Sequence, residues 1–257
     1  MAEDWVLVSS DVVSDPTSAP DYLAEIGSYI DSIADPLWPI NKKIHDNPEL
    51  GYKEYIAHEA LTSFLKTQKG WKVTPSAYGM ETAFVAVFDS GKKGPVVSFN
   101  AEMGGGGKIK LIEAGAYKSH GCDINLISHP GITSDSAVMR TAAYRSFKVE
   151  AHFNRLGGEI PTPDIDEVNG RTMASTDQGD VSYALPSLSA GFWIRPGEQG
   201  NGPHSPDFAG AAGTKEAFGL SLRVGKGLAA TAVDFLTKKG LVEEAWKEFH
   251  KEVKAKR

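Results

Sequence analysis

The clearest pattern in the chain lies over residues 53–68. Ile56, Ala60, Leu61, Phe64 and Leu65 recur at i, i+4, i+5, i+8 and i+9, which is one face of a helix, and Lys69-Gly70 supplies a stop. Leu23, Ile26, Ile30 and Ile33 have the same spacing and predict a helix from Asp21 to Ile33, with Pro36 marking its end. Thr82 to Phe88 is apolar and partly β-branched. After a polar turn at 89–94, Pro95 to Phe99 is a second such run, so the pair predicts a β-hairpin or two adjacent strands. Gly104–Gly107 opens a short helix from about Lys108 to Ala114. Asp123 to Ser128 predicts a buried strand ending in His129-Pro130-Gly131, and Phe147 to Ala151 another short strand. Residues 157–180 have a loop composition, while Val181 to Leu185 and Gly191 to Ile194 have strand character. Two helical segments follow: Phe208–Phe235, broken near Gly225 and Gly227, and Val242–Lys254, with an apolar stripe of Val242, Ala245, Trp246, Phe249 and Val253. Residues 1–20 mix Ser, Asp and Pro around Val6 to Val8 and read as a peripheral arm. Helices alternate with short buried strands, so the expected class is α/β, a mixed sheet flanked by helices.

Composition narrows the partners. The 257 residues are 41% hydrophobic and 23% charged, which is globular rather than disordered. The 27 basic and 33 acidic side chains leave a net charge of −6, which argues against nucleic acid or an anionic membrane as the main partner. No apolar run approaches the ~18–20 residues of a membrane span. The opening Met-Ala-Glu-Asp-Trp has neither the basic nor the apolar region of a secretory leader. The single cysteine, Cys122, excludes an internal disulfide framework. A cytoplasmic protein is the expectation.

Several motifs invite chemistry. Gly107-Lys108 fails as a phosphate loop, because a glycine is needed at position 102, which is Glu, and Ser or Thr at position 109, which is Ile. His120, Cys122, Asp123 and His129 contain metal-binding residue types, although zinc needs three or four converging ligands and a lone Cys before a buried strand is more often a small core residue. His129 follows a buried strand, where ligands gather in open α/β sheets; the simpler alternative is a strand-capping side chain. His204 lies in a tight loop before a helix, and residues 175–182 are dense in small polar groups. A serine hydrolase has no Gly-x-Ser-x-Gly elbow here, and adjacent Ser128 and His129 would point to opposite faces of a strand.

Taken together, these segments resemble one family. Ile44-His45-Asp46-Asn47-Pro48-Glu49-Leu50-Gly51-Tyr52-Lys53-Glu54 is similar to the entry motif of the M20 metallopeptidases and amidohydrolases, nearest their aminoacylase-like dipeptidase branch. Gly104–Lys108 with Glu113–Tyr117 resembles the segment after that family's glutamate pair. His129-Pro130-Gly131 resembles its ligand His at a strand end. The runs from Ser175 to Pro186 and from His204 to Thr214, and the Val224–Thr231 helix, resemble its later motifs. The likeness extends over residues 36–257, which implies one catalytic α/β domain preceded by an N-terminal arm and helix over 1–35. It implies a hydrolase of dipeptide or N-acyl amino acid amide bonds, using two divalent ions (zinc, manganese or cobalt) and a glutamate base. On that likeness His129 and His204 are metal ligands and Glu102 is the catalytic base.

The sequence also departs from the family. Ala101-Glu102-Met103 directly joins segments that the family separates with an Asp-Ala-Leu-Pro-Gly and a His-Ala-Cys-Gly-His motif. Either Glu102 matches the base and Met103 replaces a ligand, or both glutamates are gone; a thioether does not substitute for a carboxylate on such ions. Near position 151 the family's lid and dimerisation domain is absent. Two expectations follow: a metal-dependent hydrolase with an incomplete site, or an inactive remnant that binds a small peptide or regulates a partner.

Overall fold

The computed structural model describes residues 22–101, 106–132, 135, 152–161 and 176–255. At its centre, β4 (Ile124–Gly131) lies between β3 (Val97–Phe99) and β5 (Ser187–Trp193) in a parallel three-stranded sheet. Val97 stands opposite Ile124, and residues Asn125 to Gly131 pair in register with Ser187 to Trp193. Parallel strands are covered on both faces and so carry near-continuous apolar runs; Ile124, Leu126, Ile127, Leu188, Ala190 and Phe192 are all buried. Helix α7 (Lys215–Thr237) lies on β4 and β5, placing Val224, Leu228, Ala232 and Phe235 in one cluster with Phe153 and the strand residues. Helix α5 (Gln178–Ala184) packs on β5 and on α3 (Gly107–Glu113), which continues into the short α4 (Ala116–Ser119).

The other strands form a separate antiparallel ribbon, β1 (Trp71–Pro75) with β2 (Phe84–Phe88), seated on α2 (Tyr55–Thr67). Helix α1 (Leu23–Asp46) packs along α7 and α2, with Trp38 stacked on Phe218 at 5.2 Å between ring centroids. Ser205 and Thr214 cap α6 (Pro206–Ala212) and α7, their hydroxyls accepting from Phe208 N and Ala217 N at 3.1 Å each. Helix α8 (Leu241–Ala255) buries Ala245 and Phe249.

The α/β class stands, but several elements differ from the sequence reading. Among the described residues there is no single mixed sheet; the strands divide into the parallel sheet and the ribbon. The expected hairpin is not formed, because β2 turns back onto Trp71–Pro75 and the Val97–Phe99 strand joins β4. Helix α1 does not stop at Pro36 but runs through Pro36 and Pro39. Each proline frees a carbonyl four residues back. Those belong to Ser32 and Asp35, both exposed, and the continued helix gains the Trp38 contact. It ends at Asp46, one residue short of Asn47, whose helical conformation the ring of Pro48 opposes. Val181–Leu185, expected as a strand, is largely the body of α5. Helix α7 has no break at Gly225 or Gly227. Its buried face continues through both, and at Gly227 the helix backbone comes against Phe153. The break falls instead at Gly213, between α6 and α7. The arm over 1–20, the strand at 147–151 and the expected lid position lie outside the described residues.

Gly213 is where α1 meets the α6–α7 turn. His45 Nε2 lies 2.8 Å from the Ala209 carbonyl, and a Cβ on residue 213 would fall 2.1 Å from the His45 ring. Gly213→Ala should destabilise the fold by about 1–3 kcal/mol in urea unfolding. Gly210→Ala, with nothing near the new methyl, should be neutral or stabilising by up to ~1 kcal/mol; equal effects at the two positions would contradict the clamp.

A second prediction concerns acid. Asp234 on α7 accepts from His152 Nε2 at 3.0 Å and Lys238 Nζ at 2.6 Å. Burial pushes its carboxyl up, but the His152 and Lys238 bonds outweigh this and hold it below the ordinary 3.8. A lowered carboxylate adds stability that is full above its unfolded pKa and is lost as pH falls through the folded one. Asp234→Asn should therefore lower stability at neutral pH and flatten the loss below about pH 4. An unchanged acid limb would contradict this pairing.

Candidate active site

A chain of polar side chains that the core otherwise excludes runs from the start of β4, across β3, to the residue that follows β3. Asn125, fully buried on β4, donates from Nδ2 to Ser98 Oγ at 3.0 Å and accepts from Gln178 Nε2 at 3.0 Å. Ser98 donates to the Ile124 carbonyl at 3.1 Å. Gln178 Oε1 in turn accepts from Asn100 Nδ2 at 3.0 Å, and Asn100 Nδ2 also reaches the Tyr117 hydroxyl at 3.2 Å. Burial pushes the Tyr117 phenol up to about 12, so it stays protonated. Beside this spine, Asp177 accepts from the Lys108 backbone N–H at 2.9 Å and pairs with Lys108 Nζ at 2.5 Å, both side chains being nearly fully buried. Removing one member of a buried ion pair costs about 3–5 kcal/mol, so this contact fixes α3 against α5.

His129 lies at the end of β4, one strand over from Asn100. Its Nδ1 is 2.7 Å from the Pro130 carbonyl. A carbonyl only accepts, so Nδ1 is the donor and the ring turns Nε2 away from Pro130. His204 follows β5 in the 194–205 loop. The loop is held in shape by Asp207, which accepts from Gln199 N at 3.3 Å and Asn201 N at 3.1 Å, and by Ser205, which donates to Gly202 O at 2.8 Å. Gly202 sits over Ile132, just past β4: a Cβ there would lie 3.6 Å from Ile132 Cδ1. The loop thus brings His204 to the same end of the sheet as His129. His204 is exposed and has φ +69°, a left-handed conformation rare for a residue with a Cβ.

The other sequence candidates separate. Glu102, with Met103, lies outside the described residues, as does Ser175. His120 stacks edge-on to Tyr78 at 6.4 Å, and Asp123 accepts the Val96 backbone N–H at 2.9 Å. Burial pushes the Cys122 thiol up, and Asp123 adds to this against a hydrogen bond with Ser98, so the thiol is not activated. Among the described residues no three His, Cys, Asp or Glu side chains converge. His129 and His204 alone fall short of the three protein ligands of a catalytic zinc centre, and further short of a two-ion site, so the described donors do not fit the implied metals.

The His45–Glu54 motif is a joint rather than a site. Glu49 accepts Ile56 N and Ala57 N at 2.9 and 3.0 Å, neutralising the start of α2, and Glu54 accepts from Tyr52 N and Thr82 Oγ1 at 2.7 and 2.6 Å. Sequence reasoning assigned no site role to Asn100 or Tyr117 and marked Gln178 only as part of the polar 175–182 run; the three come together from distant positions. The one available signal was Asn125, a polar residue inside an apolar strand.

No protein-family model matches the chain. Over 95 residues it is 36% identical to the Xaa-Arg dipeptidase of Mus musculus, and over 83 residues 32% identical to the thermostable carboxypeptidase 2 of Saccharolobus solfataricus. The matches cover 37% and 32% of this chain and 21% of each relative, so the chain aligns with about a fifth of the length of either. It is thus similar, over about a third of its length, to two peptidases. Among the described residues no helix is long and apolar enough to cross a membrane.

The backbone at His204 gives a direct test. Glycine adopts φ +69° freely, so His204→Gly should be more stable than His204→Ala by about 1–2 kcal/mol in urea unfolding. Equal stability of the two variants would mean that the loop does not hold this residue left-handed.

Proposed function

We propose that this chain is a peptidase-like hydrolase of the cytoplasm, acting on the amide bond of dipeptides or N-acyl amino acids at the carboxyl end of its parallel sheet. The partial likeness to a dipeptidase and a carboxypeptidase supports the reaction class. The observation that carries the location is the seating of Gly202 on Ile132, which brings the His204 loop to the strand end bearing His129. Here His129 Nε2 and the exposed His204 imidazole bind and orient the substrate. Glu102, two residues beyond Asn100, is the proton acceptor that deprotonates water and returns the proton to the leaving amine. A second reading, binding without turnover, is favoured by the shortage of converging metal donors among the described residues.

The test is hydrolysis of a dipeptide panel and of N-acetyl amino acids with added zinc, manganese or cobalt, alongside elemental analysis of the dialysed protein. Turnover that falls at least 100-fold in His129→Ala/His204→Ala is the expected result. No turnover by the wild type with any of the three ions would overturn the hydrolase reading and leave the binding one.

A further inference from the structure

The hydrogen-bond spine has a direction that its anchor dictates. The Ile124 carbonyl can only accept, so the Ser98 hydroxyl must donate to it. Ser98 Oγ then accepts from Asn125 Nδ2, which turns Asn125 Oδ1 toward Gln178 Nε2 and Gln178 Oε1 toward Asn100 Nδ2. Every carboxamide orientation follows from that one carbonyl, and aligned bonds of this kind polarise one another. Two groups are left at the outer end. Asn100 Oδ1 is a buried acceptor with no partner among the described residues. The Tyr117 hydroxyl accepts from Asn100 Nδ2, so its own hydrogen is directed elsewhere. A buried acceptor without a donor is destabilising, a cost that a bound donor removes. Phe99 and Ala101 on either side are exposed, so the end of β3 lies at the surface.

The geometry points to Asn100 and Tyr117 as the residues that recognise the main chain of an extended ligand residue: Asn100 Oδ1 accepts its N–H, and the Tyr117 hydroxyl donates to its C=O. A residue in extended conformation presents its N–H and C=O on the same side, as in a hydrogen-bonded strand pair. An N-acyl amino acid offers the same two groups, from its amide nitrogen and its carboxyl. This inference rests on the proposed reading of the site as one for amide substrates and adds the residues that select the amide.

The test compares binding of N-acetylalanine with O-acetyl-lactate, the ester that replaces N–H by oxygen, using calorimetry on the full chain. The wild type should bind the amide about tenfold more tightly. Asn100→Ala should bind the two equally, and Tyr117→Phe should weaken both by about tenfold while keeping the preference. Thermal unfolding of each variant checks that it is folded; should Asn100→Ala fail to fold, the wild-type comparison and Tyr117→Phe decide the matter. Equal binding of amide and ester by the wild type, no binding of either, unaltered affinity in Tyr117→Phe, or a preference that survives in folded Asn100→Ala would each overturn the assignment. Preferential binding without cleavage would defeat the hydrolase reading alone, and cleavage without preference would defeat this inference alone.

Discussion

Asn125 stands fully buried on the central strand between Ile124 and Leu126, and a carboxamide in that position must find partners inside the protein. It finds Ser98 on β3 and Gln178 at the start of α5, so a single polar residue ties two strands and a helix together. An unsatisfied group of this kind costs about 1–3 kcal/mol, comparable to the loss of a buried methyl-rich contact. The Lys108–Asp177 pair imposes the same demand on α3. Apolar packing of α7 on β4 and β5 supplies non-directional stability. The polar spine supplies direction, tying the start of β4 and the residue after β3 to the start of α5.

The site follows from that frame. Parallel strands put all their carboxyl ends on one side, so residues far apart in sequence arrive together: Asn100 after β3, His129 at the end of β4, His204 in the loop after β5. The loop's seat on Ile132 and the left-handed backbone at His204 are local costs met by the surrounding contacts of Asp207 and Ser205. His45 and Gly213 lock α1 to the helices that follow that loop.

The elements legible in the sequence were those with long, regular apolar spacing: α2, the buried run of β4, and α8. Errors arose where tertiary contacts override local signals. Pro36 did not end α1 because the residues whose carbonyls it and Pro39 free are exposed and Trp38 gains Phe218. Val181–Leu185 is too short for periodicity to separate a buried strand from a buried helical turn. Gly227 allows α7 to approach Phe153 closely, where the sequence pattern alone suggested a break. For the site, His129 and His204 were visible only because each sits in a recognisable motif. Asn100, Tyr117 and Gln178 have no such spacing, and their association is a property of the sheet order.

The central claim is that small amide ligands meet His129 and His204 at one end of the sheet. The most direct measurement is the long-range proton–nitrogen NMR spectrum of the seven histidines during titration with N-acetylalanine. The account predicts ligand-dependent shifts confined to His129 and His204. It leaves His45, His58, His120, His152 and His250 unmoved. Shifts centred on any of those five, or none at saturating ligand, would contradict it.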